Sequence, residues 1–294
     1  MMALIPNQKI GIVIPCHNNL DVLKESLPSI YDDNCLVTIF DDGSSDGTKE
    51  WVINNYPKVN LLEGDGNNWW TGSLAKAIDN CIREGCDYIV SLNADVIASG
   101  RTILKLIESS KKLNNCIVAS LVVDIKDSEK ILWSGSVFKK IHKFIPIYAS
   151  KYIYKSGTNL SSIPKDLYEV DEVHGRCVLF PSEVIDKIGD LDYKNFPQYG
   201  GDTDYSFRAK KAGIKMFIDP QCISKVFTQN TNLKRDRELS IPKRFFLIFD
   251  YLFKRKNGEA LFVWWKLYRK HLPLRYFLQS YIFVIILNIY RRLY

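Results

Sequence analysis

Leu36-Val37-Thr38-Ile39-Phe40-Asp41-Asp42-Gly43-Ser44-Ser45-Asp46-Gly47-Thr48 passes from an apolar run into a turn of acidic and small residues, then into a helical pattern. The apolar run, with its β-branched residues and turn-forming border, reads as a strand. Ser45 or Asp46 offers an N-cap to a helix through Trp51 and Ile53. The same order recurs on either side. Ile10 to Pro15 is a strand, followed by Asp21 to Ile30 with Val22, Leu23, Ser26, Leu27 and Ile30 at helical spacing. Val59 to Leu62 is a short strand, Gly72 to Glu84 a helix with Leu74, Ala77, Ile78 and Cys81 inward, and Tyr88 to Leu92 a nearly all-apolar strand. Such alternation predicts parallel strands joined by crossover helices in a three-layer α/β domain, with Tyr88 to Leu92 central and covered on both faces.

From Cys116 the order becomes mixed. A strand is expected to Val123, a hairpin near Ile131 to Phe138, and only weak patterning from Lys139 to Asp166. Val173 and Cys177 to Phe180 read as strand, Tyr199 to Ala212 as helix, and Lys215 to Asp219 and Ile223 to Phe227 as closing strands.

At 294 residues and 46% apolar composition the chain can bury a substantial core, which excludes disorder. The formal charge of +7 is concentrated near the C-terminus, at Lys234, Arg235, Arg237, Lys243, Arg244, Lys254, Arg255 and Lys256. Aromatic residues interleave with these charges (Phe245, Phe246, Phe249, Tyr251, Phe253, Trp264, Trp265), which favours an acidic membrane face over nucleic acid. A basic helix packed on the core, or an element for pairing with a second copy in a homodimer, is the alternative. The apolar run Tyr276 to Tyr290 contains Gln279, Ser280 and Asn288 and falls short of the ~20 residues of a spanning helix, so it is expected to lie at an interface. The seven cysteines are scattered without a Cys-x-x-Cys pair, and no secretory signal is evident, so a reducing cytoplasm is expected.

Three acidic loops carry candidate chemistry. Asp41-Asp42-Gly43-Ser44 ends a strand, where open α/β sheets bind ligands; it suits either a nucleotide contact or an ordinary tight turn. Asn93-Ala94-Asp95 ends a strand on the same sheet edge, and suits either a divalent cation beside a diphosphate or a helix cap. Gly200-Gly201-Asp202-Thr203-Asp204 opens a helix, where acidic residues are favoured by the dipole and where a carboxylate can also act as a base. Trp69 and Trp70 fit sugar stacking and core packing equally.

Taken together, Ile14-Pro15-x-x-Asn18, Asp41-Asp42-Gly43-Ser44-x-Asp46-Gly47-Thr48, Leu92-Asn93-x-Asp95 and Gly201-Asp202-x-Asp204 resemble, in order and spacing, family 2 glycosyltransferases. The resemblance covers roughly residues 9 to 230. Asn67-Asn68-Trp69-Trp70-Thr71-Gly72 is similar to a bacterial subgroup that includes rhamnosyltransferases. It implies a GT-A fold: a Rossmann-like, mostly parallel central sheet flanked by helices, here with a C-terminal helical, membrane-associating extension. It implies an inverting transfer of a sugar, rhamnose on dTDP first and UDP-linked hexoses next, from a nucleoside-diphosphate donor with Mg²⁺ or Mn²⁺ as cofactor, while the basic, aromatic C-terminus points to a glycan or lipid-linked acceptor at the inner membrane face, as in bacterial surface polysaccharide synthesis. Residue by residue, it makes Asp202 the catalytic base and Asp95 the metal ligand. It places Pro15, His17, Asp41, Asp42, Asn67, Trp70, Gly72 and Asn93 on the nucleotide and donor side, and His174, Gly175, Arg176 and Asp204 in the acceptor pocket.

Three departures stand against the family pattern. Asn93 replaces a frequent Asp, Gly201 replaces the Glu before the base, and Ile223 to Asn232 lacks a His, leaving Lys225 as the nearby charge. The expected organisation is a catalytic domain over 1–233, with a nucleotide-sugar half (9–123) and an acceptor half (124–233), followed by an extension over 234–294. The location expected from the tail is peripheral on the cytoplasmic membrane face. A nucleotidyltransferase would need a glycine-rich basic loop after the first strand, where Cys16-His17-Asn18-Asn19 stands. A catalytically impaired sugar-nucleotide-binding protein is the other rival.

Overall fold

The computed structural model describes residues 8–227, 241–255 and 260–293. Its first half follows the predicted alternation: β1 (Ile10–Cys16), α1 (Leu20–Ile30), β2 (Leu36–Asp41), α2 (Thr48–Asn55), β3 (Asn60–Glu63), α3 (Trp69–Arg83) and β4 (Tyr88–Leu92). The four strands pair in parallel in the order β3-β2-β1-β4. All five residues of β4 are buried, as its continuous apolar run requires of a strand covered on both faces. Ser45 and Asp46 do not serve as the N-cap of α2. Gly47 takes that place with φ 88°, and Asp46 instead joins two helix starts, accepting from Leu20 N (2.9 Å) and Thr48 Oγ1 (2.6 Å).

The second half extends this sheet. After β5 (Val96–Ile97) comes α4 (Gly100–Lys112), for which no element is predicted although Ser99 caps it by accepting from Thr102 N. The strands β6 (Ile117–Asp124), β7 (Ile131–Trp133), β8 (Ser136–Lys140), β9 (Tyr148–Tyr152), β10 (Tyr168–Val170) and β11 (Cys177–Pro181) follow. Then come α5 (Ser182–Ile188), α6 (Gly201–Lys211) and β12 (Met216–Val226). The main sheet runs β10-β12-β6-β11-β4-β1-β2-β3, with β11 antiparallel between β4 and β6. The expected hairpin near 131–138 is not formed: β7 pairs with β6, whereas β8 pairs with β9 in a separate ribbon. Gly135, at φ 74°, turns the chain from one sheet to the other. The two expected closing strands are one, β12, whose register shifts around Pro220, a residue that cannot donate to the ladder and so marks a bulge.

Three helices end the described chain: α7 (Ile241–Phe253), α8 (Ala260–His271) and α9 (Leu274–Leu293). The boundary expected near residue 233 lies outside the described residues, as do Lys234, Arg235, Arg237 and Lys256. Val263, Leu267 and Tyr268 of α8 and Phe277 and Val284 of α9 share a second core with Phe196 and Phe207. Tyr148 N donates to Ser280 Oγ at 2.9 Å, fastening α9 to β9. The opposite face of α9 exposes Leu274, Leu278, Ile282, Ile286 and Tyr290 at every fourth position. Among the described residues, no helix is long and apolar enough to cross a membrane.

Leu267 is fully buried in this second core. Leu267→Ala is expected to cost about 2–5 kcal/mol, read by urea denaturation as one shifted transition. A separate early transition, with the sheet unfolding where it does in the parent protein, would show that the C-terminal helices fold as an independent appendage.

Candidate active site

A helix start leaves its first backbone N–H groups without partners inside the helix. Asn68, the N-cap of α3, makes no side-chain cap. The donors are taken up by groups from elsewhere in the chain: Trp69 N donates to Asp42 Oδ2 (2.7 Å), Trp70 N to Gln198 Oε1 (3.0 Å), and Thr71 N to Pro197 O (2.9 Å). Trp70 adds an indole N–H to Asn93 Oδ1 at 2.8 Å. One helical turn therefore touches the loop after β2, the end of β4 and the segment leading into α6.

Asp42 is buried, and its carboxylate is fully engaged within the chain. Besides Trp69 N, it accepts from Gly66 N (3.0 Å) and Asn68 Nδ2 (2.8 Å). Asp41 accepts from Ser44 N (3.0 Å), closing the turn. The polar groups left at this rim are exposed: His17, whose Nδ1–H donates to Asp42 O (2.7 Å) while Nε2 accepts from Asn18 Nδ2 (3.1 Å), and Asn67. That tautomer is the one the hydrogen-bond network requires. Pro15 is buried in β1 opposite Phe40, and Gly72 lies within α3.

Asp95 follows β4. The antiparallel register that sets Cys177 opposite Leu92 places Gly175-Arg176 beside Asn93-Ala94-Asp95. Asp95 Oδ1 is buried without a hydrogen-bond partner. Burial pushes its pKa up, and the nearby Arg176 charge partly opposes the shift. A buried, unpartnered carboxylate oxygen suits a divalent cation, which prefers hard oxygen ligands and takes its remaining ligands from diphosphate and water. Asn93 Oδ1 already accepts from Trp70, and no group of three His, Cys, Asp or Glu that could hold a metal occurs among the described residues. The residues thus fit a site with a single protein carboxylate.

Asp202 stands in the first turn of α6, partly exposed, with Oδ1 accepting from Thr203 N (2.8 Å). It lines an apolar recess with Trp70, Val173, Gly175, Phe180 and Tyr205. Only glycine fits at 175, since a Cβ there would lie 2.4 Å from the Trp70 ring. The indole is thus packed between Asn93 and Gly175 at the base of the cleft, while the Trp69 ring lies under the Arg255 guanidinium at 5.6 Å. His174 stacks on Trp133 with ring centroids 4.6 Å apart, and its Nε2 is 4.0 Å from Glu172 Oε1.

Position 201 has a physical explanation. A Cβ on Gly201 would sit 2.6 Å from both Thr71 Oγ1 and Cγ2, so the side chain of Thr71 fills the space that a Glu would need. The carboxylate found near this helix start is Glu172, buried, which accepts from Thr203 Oγ1 (2.6 Å) and Ser136 Oγ (2.5 Å).

Asp204 does not face the cleft. Its side chain is fully buried and accepts from Arg208 Nε (2.9 Å), Lys270 Nζ (2.8 Å) and His271 Nε2 (2.7 Å). Burial alone would raise its pKa, but the His271, Lys270 and Arg208 donors outweigh it and bring the carboxyl down from 3.8 to about 2. A folded-state pKa below the unfolded one gives stability that is present above the ordinary carboxylate range and lost as pH falls through about 2.

Gln198, Pro197, Thr71, Glu172 and Lys270 are absent from the sequence-based list. Trp70 and Gln198 are 128 residues apart, and nothing local in either segment signals the contact. Lys225 is exposed on β12 opposite Ile97, while residues 228–232, the rest of the stretch without histidine, lie outside the described residues.

The family model for glycosyl transferase family 2 matches residues 11–189. The chain is 21% identical over 185 residues to the low-salt glycan biosynthesis hexosyltransferase Agl10 of Haloferax volcanii, covering 60% of this chain and 54% of that protein. It thus spans about half the length of that relative. Among solved structures it is similar to the mannosyltransferase PcManGT from Pyrobaculum calidifontis in complex with GDP-Man and Mn²⁺. The TM-score is 0.55 at 15% identity, over 99% of this chain and 74% of that one. It is also similar to GalNAc-T7 with UDP, GalNAc and Mn²⁺, with a TM-score of 0.54 at 12% identity over 91% of this chain and 52% of that one. These likenesses identify the sheet and its flanking helices as a GT-A fold.

Gly201→Ala is expected to destabilise the protein by about 1–3 kcal/mol through overpacking. Thr71→Ala, which removes the Oγ1 and Cγ2 atoms in the way, should recover part of that loss in the double variant. Strictly additive effects in the thermodynamic cycle would mean that the two positions do not compete for the same space.

Proposed function

The chain belongs to glycosyl transferase family 2, and from that premise we propose that it transfers a hexosyl group, with inversion, from a nucleoside-diphosphate sugar to a hydroxyl of a glycan or lipid-linked acceptor. The observation that carries the reading is the buried, unpartnered Asp95 oxygen, two residues from the Asn93 amide that accepts from Trp70, the ring that lines the recess of Asp202. Asp202 takes the proton of the acceptor hydroxyl as its oxygen attacks the anomeric carbon, and the bond from that carbon to the diphosphate oxygen breaks. A divalent cation, Mg²⁺ or Mn²⁺, supplies charge neutralisation to the departing diphosphate; Asp95 would hold it. Arg176, beside Asp95, adds a positive charge near the phosphates, and the closed packing of Trp70 on Gly175 and Asn93 keeps the cleft floor rigid.

Rhamnose carried on dTDP is the first donor to test, followed by UDP- and GDP-linked hexoses. His17 and Asn67 face the nucleobase side, with Asp42 shaping the loop that carries them, and His174 faces the acceptor. The organisation is a catalytic domain over 1–233 and an extension over 234–294. The acceptor is presented at the cytoplasmic face of a membrane during surface polysaccharide synthesis. Support for a membrane contact comes from the exposed stripe of α9 and from Phe245, Phe246, Phe249 and Phe253 of α7, with Lys243 and Lys254 on the same helix and its end.

A sugar-nucleotide-binding protein of impaired catalysis is the second reading, favoured by the filled space at Gly201; it would bind nucleotide without releasing nucleoside diphosphate from any sugar donor.

Asp202→Asn is expected to lower transfer by on the order of 10²–10⁴-fold while nucleotide binding stays near the parent level. Loss of both together would assign Asp202 a structural role. For Asp95 the sign runs the other way from Asp204: its raised folded-state pKa means that folding disfavours the ionised carboxylate, and the penalty grows as pH rises above the ordinary value. Asp95→Asn should therefore raise the melting temperature of the metal-free protein at neutral pH and abolish Mn²⁺-dependent binding of UDP or GDP in calorimetry. Unchanged Mn²⁺ dependence would remove Asp95 as the ligand.

For the membrane contact, Phe246→Glu combined with Ile286→Glu changes exposed positions only. The pair is expected to lose at least about tenfold in cosedimentation with phosphatidylglycerol vesicles, and equal binding would rule the contact out.

A further inference from the structure

Asp202 and Asp204 share the first turn of α6 but, two residues apart on a helix, point to opposite sides: one lines the recess and the other is buried against α8. We propose that Lys270 and His271, at the end of α8, are positioning residues that grip Asp204 and thereby set how Asp202 presents its carboxylate to the acceptor. The inference rests on the reading of Asp202 as the base.

The grip is built from several contacts on one side of α6. His271 Nε2 and Lys270 Nζ both donate to Asp204 Oδ1, and His271 stands edge-on to Phe207 with ring centroids 5.2 Å apart. Val263, further up α8, packs directly on the N-cap of α6: a Cβ on Gly200 would lie 2.9 Å from Val263 Cγ1. Arg208, holding the other oxygen of Asp204, donates to Ile188 O (2.9 Å) and Asp190 O (2.7 Å). Lys270 also binds Asp192 Oδ2 (2.7 Å), and Lys266 Nζ donates to Asn195 O (3.3 Å).

These last contacts fix the segment between α5 and α6, the same segment whose Pro197 and Gln198 accept from the first turn of α3. A shift of α8 would therefore move Asp202 relative to Trp70 and the donor loops. On the other side, Thr203 Oγ1 on Glu172 (2.6 Å) and Val173 N on Ser206 Oγ (3.1 Å) hold α6 independently of α8. Weakening the α8 contacts then lets the helix start tilt without releasing it. Displacements of this kind lower the chemical step more than substrate binding.

The test uses the full chain with His271→Ala, with His271→Gln, whose amide N–H can replace the Nε2–H donated to Asp204, and with Asp202→Asn. Hydrogen–deuterium exchange without substrate should rise over 193–206 in His271→Ala, stay unchanged in β1 and β4, and return to the parent level in His271→Gln. Release of nucleoside diphosphate is followed with Mn²⁺ and whichever of UDP-glucose, GDP-mannose and dTDP-rhamnose the parent protein uses fastest. In His271→Ala, kcat should fall on the order of 100-fold with donor KM within about threefold, and His271→Gln should recover most of it. For a donor outside this set, the exchange measurement decides alone. Unchanged exchange over 193–206, an unchanged kcat, or a joint loss of kcat and donor affinity that Gln does not repair would overturn the proposal. Asp202→Asn turning over at the parent rate would overturn the base assignment instead, leaving the exchange result as the measure of the grip.

Discussion

Three backbone N–H groups at the start of α3 have no partner in their own helix, and the arrangement of the cleft follows from how they are satisfied. An unpaired buried donor costs on the order of 1–3 kcal/mol, so Trp69, Trp70 and Thr71 draw in Asp42, Gln198 and Pro197. Those acceptors come from the loop after β2 and from the approach to α6. The indole of Trp70 adds Asn93 at the end of β4. A single turn of helix thereby ties together the parts of the chain that carry the acidic side chains.

The same constraint accounts for two of the departures from the family pattern. Asn93 is an amide whose Oδ1 accepts from the indole of Trp70, so this position ties the end of β4 to α3 without adding a second negative charge beside Asp95. Gly201 is required because Thr71, in the same turn of α3, fills the place of the missing Glu. Glu172, reaching α6 through Thr203, puts a buried carboxylate close to the same helix start from another strand connection.

The C-terminal helices belong to this arrangement as well. α8 and α9 bury apolar side chains against Phe196 and Phe207, and Lys270 and His271 add two donors to a buried carboxylate that Arg208 of α6 also pairs. Their opposite faces expose aromatic and aliphatic side chains. One set of helices therefore carries both an inward, ionic attachment to α6 and an outward apolar surface.

Local patterning determined the alternation of strands and helices through β4, the central placement of Tyr88–Leu92, and the strand-end and helix-start positions of Asp42, Asp95 and Asp202, because apolar periodicity and turn chemistry are properties of neighbouring residues. It failed where pairing depends on distant partners. β7 joins β6 rather than β8, β12 continues through Pro220 as one strand, and Asp204 turns inward to α8. Only the tertiary structure decided that Asp42 is engaged within the chain, that Asp95 keeps a buried oxygen free, and that Gly175 and Gly201 yield space to Trp70 and Thr71. Those outcomes depend on hydrogen bonds and packing between distant segments, Trp70 against Gly175 and Thr71 against Gly201 among them, for which a linear pattern carries no signal.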